Sequence, residues 1–208
     1  MTRGQLKTLF GRRAHDVGLV QWSAIEVNEI INLAYSKVQK EIVKFKRDAH
    51  LFWDYVDTQP GVSLYPLPPT FGVRRIGLKG SSADTTWTKL HKKEYEDLLE
   101  LSPQATKTYY CLPNENWFGI YPAPASAIVR GIELIHCPIM ALSDDAEIPR
   151  IKLPLHDAIA LWAVIIAKGE TDEDSAAAQQ ELANIMGDLN LWYEAPSDEP
   201  DKFQVGLV

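Results

Sequence analysis

Apolar residues recur at steps of three and four through residues 23–53: Val27, Ile30, Ile31, Ala34, Val38, Ile42, Phe45 and Ala49. That period, close to 3.6, predicts one long helix with a single apolar stripe. Lys37, Lys40, Glu41, Lys44, Lys46 and Arg47 fill the opposite face. The start is marked by Ser23 and, three residues on, Glu26, the pattern of a capping box, with Trp22 and Val27 placed as a hydrophobic staple around it. A helix of about 30 residues would run about 45 Å at 1.5 Å per residue, and its stripe needs partners.

Those partners lie far along the chain. Pro154 suits a first helical position, and Ala158, Leu161, Trp162, Ile165 and Ile166 predict a largely apolar helix that stops near Lys168-Gly169. Thr171 then reads as the cap of a last helix, with Asp172, Glu173 and Asp174 at the positive end of its dipole and a stripe of Ala178, Leu182, Ile185, Leu189 and Trp192. The short link makes these two helices antiparallel neighbours. Residues 3–14 add a short first helix, capped by Thr2, with Leu6, Leu9 and Phe10 on one face. The predicted bundle core is Val27, Ile31, Val38, Leu161, Ile165, Leu182 and Leu189.

Between the helical segments the period falls to two. Gln59-Pro60-Gly61-Val62 is a turn with glycine where a type II turn needs positive φ, and Val62–Tyr65 leads into Pro66-Leu67-Pro68-Pro69, which predicts an edge hairpin. Strands are predicted over 71–79, 85–90, 108–112, 117–121 and 128–139, with a small surface helix over 91–101 ended by Ser102-Pro103. The chain is therefore expected to be α+β. Residues 1–56 and 148–194 form an antiparallel bundle of about four helices, one long; residues 57–147 form a small inserted antiparallel β module; and residues 195–208 form an extended C-terminal arm. That arm opens with Ala195-Pro196-Ser197-Asp198-Glu199-Pro200-Asp201 and closes on Phe203, Val205, Leu207 and Val208, apolar side chains suited to anchoring on another surface; a simple disordered terminus is the alternative.

Charge sharpens this picture. The chain has 208 residues and a net charge of −7, but residues 1–50 hold nine Lys/Arg against five Asp/Glu, whereas residues 170–201 hold ten acids and no Lys or Arg. Solvated faces account for such asymmetry, and so does complementary contact between copies. No apolar run is long enough for a membrane span and the start lacks a signal-peptide core, so the expected setting is a reducing cytoplasm with both cysteines free.

Catalytic patterns are missing: no glycine-rich phosphate loop, no G-x-S-x-G, no H-E-x-x-H and no C-x-x-C. His136 and Cys137 are adjacent, so a strand points them to opposite faces. His15, His50, His91 and His156 are scattered, which favours structural roles. Asp144, Asp145 and Glu147 suit either a hard cation or an acidic turn. No cofactor or metal is predicted. The aromatic residues Trp53, Tyr55, Tyr65, Trp87, Tyr109, Tyr110, Trp117, Phe118 and Tyr121 crowd the β module as core, stacking face or interface. Core plus interface is favoured, since a stacking platform needs a basic groove and the pI is 5.2.

Several segments, in order, resemble the head-to-tail adaptor (connector) family of tailed bacteriophages. They are Trp22 ahead of a helix carrying Ile31-Asn32-Leu33-Ala34; Thr58-Gln59-Pro60-Gly61-Val62-Ser63-Leu64-Tyr65-Pro66-Leu67-Pro68; Phe118-Gly119-Ile120-Tyr121-Pro122-Ala123-Pro124; and Ile148-Pro149 through Ala167, followed by an alanine-rich acidic helix. The resemblance runs over about residues 5–194 and rests on order and spacing. It implies a structural virion protein assembled in the host cytoplasm, not an enzyme. Its copies, commonly twelve, would form a homo-oligomeric ring at the head-tail junction, binding the portal protein on one side and a tail or nozzle protein on the other. DNA would pass through without specific binding, and no membrane is involved. Two other classes remain open: another tail-completion or nozzle protein, and a hydrolase or ligand-binding module with its site in the β insert.

Overall fold

A computed structural model describes residues 1–16, 18–46, 48–99, 107–170, 175–189 and 193. The fold is α+β, and the chain divides into two compact units: Met1–Lys46 with the chain from Ala141 onward, and Arg47–Met140. The expected divisions were at 56/57 and 147/148; both fall earlier because the long helix stops early and because the turn at 142–147 belongs to the helical unit.

In the helical unit, α1 (Arg3–Arg13) begins at Thr2, whose hydroxyl accepts from the Gln5 amide while the Gln5 side chain accepts from the Thr2 amide. Helix α2 (Ala24–Phe45, 22 residues) begins at the Ser23–Glu26 capping box. These bonds hold the Glu26 carboxyl below its ordinary range. The helix ends at Phe45, not near Trp53, because Lys46 adopts extended backbone. Phe45 is exposed and Ala49 lies outside the helix, so the buried stripe is Val27, Ile30, Ile31, Ala34, Tyr35, Val38, Gln39 and Ile42. The buried Tyr35 hydroxyl accepts from the Arg150 amide at 2.8 Å, and burial pushes its pKa up to about 12.

A short 3-10 turn (Leu153–Leu155) containing Pro154 leads into α4 (His156–Glu170). Ala158, Ile159, Ala160, Leu161, Ala163, Val164 and Ala167 are buried, so almost the whole circumference of α4 is enclosed. The four alanines let neighbours approach closely, and α4 packs against α1, α2 and α5 (Ala176–Gly187). Leu182 and Leu189 are buried; Trp162, Ile165, Ile166 and Ile185 are half-buried. Thr171 and Trp192, expected as cap and stripe of the last helix, lie outside the described residues. Gly11 is required where it stands: a Cβ there would lie 2.9 Å from the Asp16 carbonyl oxygen and 3.0 Å from Leu19 Cδ2.

The β unit holds two four-stranded sheets among the described residues, more strands than the five or six expected. The first has the order β1–β8–β3–β4, with β1 (Phe52–Thr58), β8 (Ile128–Pro138), β3 (Thr70–Leu78) and β4 (Thr88–Lys89). The second has the order β2–β7–β6–β5, with β2 (Leu64–Pro66), β7 (Trp117–Tyr121), β6 (Tyr109–Asn114) and β5 (His91–Lys92). All pairings are antiparallel except β5 with β6. The small helix α3 (Tyr95–Leu99) begins later than expected because His91 and Lys92 pair as a strand. The turn at Gln59–Val62 forms as predicted, with Gly61 at φ 73° and the Val62 amide donating to the Gln59 carbonyl. It does not close a hairpin, however: β1 and β2 belong to different sheets. Ile76, Ile132 and Leu134 from the first sheet meet Tyr65, Tyr110, Phe118 and Ile120 from the second, so the two sheets enclose one core.

Candidate interaction surface

The first sheet turns one face to that core and the other outward. On β1, Val56 packs against the core cluster, while Trp53 (45% exposed) and Tyr55 (37%) point the other way, as period-two geometry requires. Tyr55 pairs across the sheet with Glu133, and Glu133 with Gly77. Gly77 has no side chain, and Trp87 lies over it: a Cβ on residue 77 would come within 2.8 Å of the Trp87 Cβ. The Tyr55 and Trp87 rings stand 5.1 Å apart. Each ring also carries a cation, Lys79 Nζ 4.6 Å from the Trp87 centroid and Arg130 Cζ 4.9 Å from that of Tyr55. Lys79, Trp87, Tyr55 and Arg130 therefore form a continuous ladder, with Trp53 beside it along β1.

Arg130 is placed by a bulge. Between the pairs Val56–Ile132 and Thr58–Ile128, one β1 residue faces three on β8. Arg130 takes φ 52° there, which costs a non-glycine residue on the order of 1–3 kcal/mol. Two contacts hold it: its amide donates to Asp57 Oδ1 at 2.7 Å, and its carbonyl accepts from Trp87 Nε1 at 2.9 Å. Beneath the Trp87 roof, Arg75 donates to the Trp87 carbonyl and lies 3.4 Å from the buried Glu133 carboxylate. The edge of this sheet is also uneven. β4 has two residues, but β1 is seven residues long, without proline, and has no strand on its outer side among the described residues. In the second sheet, β5 has two residues and β2 has three, ending in Pro66, so among the described residues β1 is the longest edge strand.

The helical unit exposes its own apolar residues: Val20, Ile25 (69%), Leu33, Ile148 and Leu153 (68%). Here the acids of the 142–147 turn are engaged. Asp145 Oδ1 receives Arg3 Nε at 2.8 Å and Lys7 Nζ at 2.6 Å, and these contacts, Lys7 first, lower its pKa. Asp144 accepts from the Ala146 amide and Glu147 from the Ser143 amide and hydroxyl. The acidic-turn alternative accounts for all three. Arg13 meets Glu181 at 2.7 Å, so the basic N-terminal and acidic C-terminal regions already pair within one chain.

Among the histidines, His136 is buried with Nε2 2.8 Å from Asp54 Oδ2, and Cys137 is buried next to it. His156 is buried with Nδ1 2.7 Å from the Met1 amino group and Nε2 3.2 Å from the Ile151 carbonyl. Burial, and then the Met1 ammonium, lower its pKa, so the ring is neutral: Nδ1 accepts and Nε2–H donates. Cys111 and Cys137 are free, and burial raises both thiols. No group of three metal-binding side chains occurs among the described residues.

The aromatic set divides as core and surface. Tyr65, Tyr110 and Phe118 are buried; Trp53, Tyr55 and Trp117 are exposed; Trp87, Tyr109 and Tyr121 are half-buried. Of the predicted core residues, Val27, Ile31, Val38, Leu161, Leu182 and Leu189 are buried and Ile165 is half-buried. The arm residues Phe203, Val205, Leu207 and Val208 lie outside the described residues. Lys79, Arg130 and the glycine cradle at Gly77 were not singled out from the sequence; an isolated glycine inside a strand pattern was the available signal.

A family model described as SU10 adaptor protein matches residues 1–202, across both compact units. The chain belongs to the SU10 adaptor protein family. This agrees with the resemblance to phage head-to-tail adaptors. No curated protein matches the chain. The family is one of structural adaptors, not of enzymes, and membership makes this adaptor a phage protein and a virion component that contacts other head or tail proteins. No helix among the described residues is long and apolar enough to cross a membrane.

Proposed function

We propose that this adaptor assembles into a ring of twelve copies that joins the portal to the tail at the head-tail junction and surrounds the channel through which DNA leaves. The observation that carries this is the family match over residues 1–202, which takes in both units. The helices of the first unit, in this reading, act as an antiparallel bundle that builds the ring wall, and residues 57–147 act as a β-rich insert. Exposed apolar residues such as Ile25, Leu33, Ile148 and Leu153 support that role, because an isolated helical unit gains nothing by leaving them in water. Residues 195–208 serve as the arm, with Phe203, Val205, Leu207 and Val208 anchoring on the portal or on a neighbouring copy. DNA passes without specific binding, since a net charge of −7 per copy repels phosphate within a Debye length of about 10 Å.

The test is mass measurement of the purified chain alone and with portal protein. A ring of about twelve copies, alone or templated by the portal, is expected; a monomer in both conditions refutes the proposal. Deleting residues 196–208 should weaken portal association in a pull-down with little change in thermal stability, and full retention of binding would remove the arm from the contact.

A further inference from the structure

We propose that the outer face and open β1 edge of the first sheet form the acceptor for the C-terminal segment of a second copy of this chain. This rests on the ring reading above and assigns a surface to its arm.

Three observations carry it. First, the face has the composition of an interface anchor and is held rigid in advance. Trp53 and Tyr55 are exposed, Val129, next to Arg130 in the chain, is 75% exposed, and Trp87 is fixed by the Gly77 cradle and the Arg130 carbonyl. Second, the charges are complementary. Lys79, Lys89 and Arg130 form no ion pair with a carboxylate among the described residues. Residues 196–202 supply Asp198, Glu199 and Asp201 just ahead of Phe203, Val205 and Leu207. Third, the pattern of the segment fits the edge. Apolar residues at alternate positions put three side chains on one side of an extended chain, and β1 has no strand on its outer side among the described residues, so such a chain can follow its edge. The residues after Tyr193 number fifteen, enough to reach about 50 Å when extended. The acidic part then lies against the cations and the apolar part against Trp53, Tyr55 and Val129.

Disulfide trapping between full-length chains tests this. One chain carries Val129→Cys and another Val205→Cys; Cys111 and Cys137 are buried and do not compete. Mixing the two under mild oxidation should give the mixed covalent dimer in excess of both homodimers. Lys79→Glu/Lys89→Glu in the Val129→Cys chain should cut its yield by about fivefold, as should high salt. Lys79→Glu/Arg130→Glu serves as a second variant, and circular dichroism checks that each is folded. The proposal is overturned if no mixed dimer forms, if its yield ignores charge reversal, or if a chain carrying both cysteines closes only on itself. It is also overturned if duplex DNA at physiological salt abolishes the product, which would give the face to nucleic acid. Chains that trap in this way but never reach ring mass keep the acceptor face and lose the ring. Chains that form a ring without trapping do the reverse.

Discussion

Gly77→Ala probes whether the aromatic ladder is a built feature of the sheet. The new Cβ would sit 2.8 Å from the Trp87 Cβ, an atom next to the backbone that cannot swing aside as a side-chain tip can. Trp87 must shift, and three interactions go with it. Its bond to the Arg130 carbonyl contributes about 1 kcal/mol, the Tyr55 contact about 0.5–1.5 kcal/mol and the Lys79 contact about 0.5–1 kcal/mol. Against that loss, replacing glycine inside a strand returns about 0.5–1 kcal/mol of chain entropy. The net expectation is a destabilisation of about 1–3 kcal/mol, or a melting temperature lower by about 3–10 °C for a chain of this size. Gly72→Ala on the same strand is the control. Nothing lies within 4 Å of its added Cβ, so that variant should match the parent or gain up to about 1 kcal/mol. Thermal melts followed by circular dichroism, with tryptophan fluorescence reporting on Trp87, decide the matter. Equal melting temperatures and unchanged emission for Gly77→Ala would refute the account of the cradle.

The other predictions concern the two cores, a helix cap and pH. Leu161→Ala and Leu189→Ala should each cost about 2–5 kcal/mol, and unchanged melting for both would contradict the packing of α4 in the helical unit. Phe118→Ala should cost about 3–5 kcal/mol because its ring is fully enclosed between the sheets, again read from thermal or urea melts. Ser23→Ala removes one bond of the α2 capping box and should cost about 1 kcal/mol; a cost near zero would show that the cap does not fix the helix start. His156 is held neutral with its pKa below the ordinary value of about 6.5, so the unfolded chain takes up the proton first. Stability should therefore be full above about pH 6.5 and fall as the pH drops below it, and His156→Gln should flatten that part of the melting-temperature profile; identical slopes in parent and variant would sink the assignment. Duplex DNA should bind weakly or not at all in an anisotropy titration at physiological salt, with sub-micromolar affinity as the contrary result.

What could be read from the sequence was mostly local. The α2 start was legible because Ser23 and Glu26 are three residues apart and their capping bonds close within one turn. Its end was not, because Ala49 and Trp53 happen to continue the helical period while Trp53, Tyr55 and Val56 also fit a period of two, and short windows satisfy both. The charged run Lys44–Asp48 ahead of an aromatic, β-branched stretch was the sign that the helix had finished. The Gln59–Val62 turn was legible for the same local reason, but whether its flanking strands share a sheet depends on β7 and β8, more than fifty residues away. The ladder was out of reach: Trp87 and Arg130 are 43 residues apart, and neither carries a local signal of the other.

The same separation argues that the ladder is more than a remnant of core building. The enclosed core is complete without it, since Ile76, Ile132 and Leu134 meet Tyr65, Phe118 and Ile120 on the opposite face of the sheet. Stability alone does not call for Arg130 in a left-handed conformation, a bulge to aim it, a glycine to seat Trp87 and two cations set over rings that remain open to water. Each costs or risks something in the isolated chain: strain at residue 130, entropy at residue 77, and apolar rings left in solvent. Strain and exposed aromatic surface on a rigid, β-edged face are recovered when something binds there, because the ordering has already been done before the partner arrives. In a family whose members join other virion proteins, that places the free-energy gain of this face in assembly, not in folding.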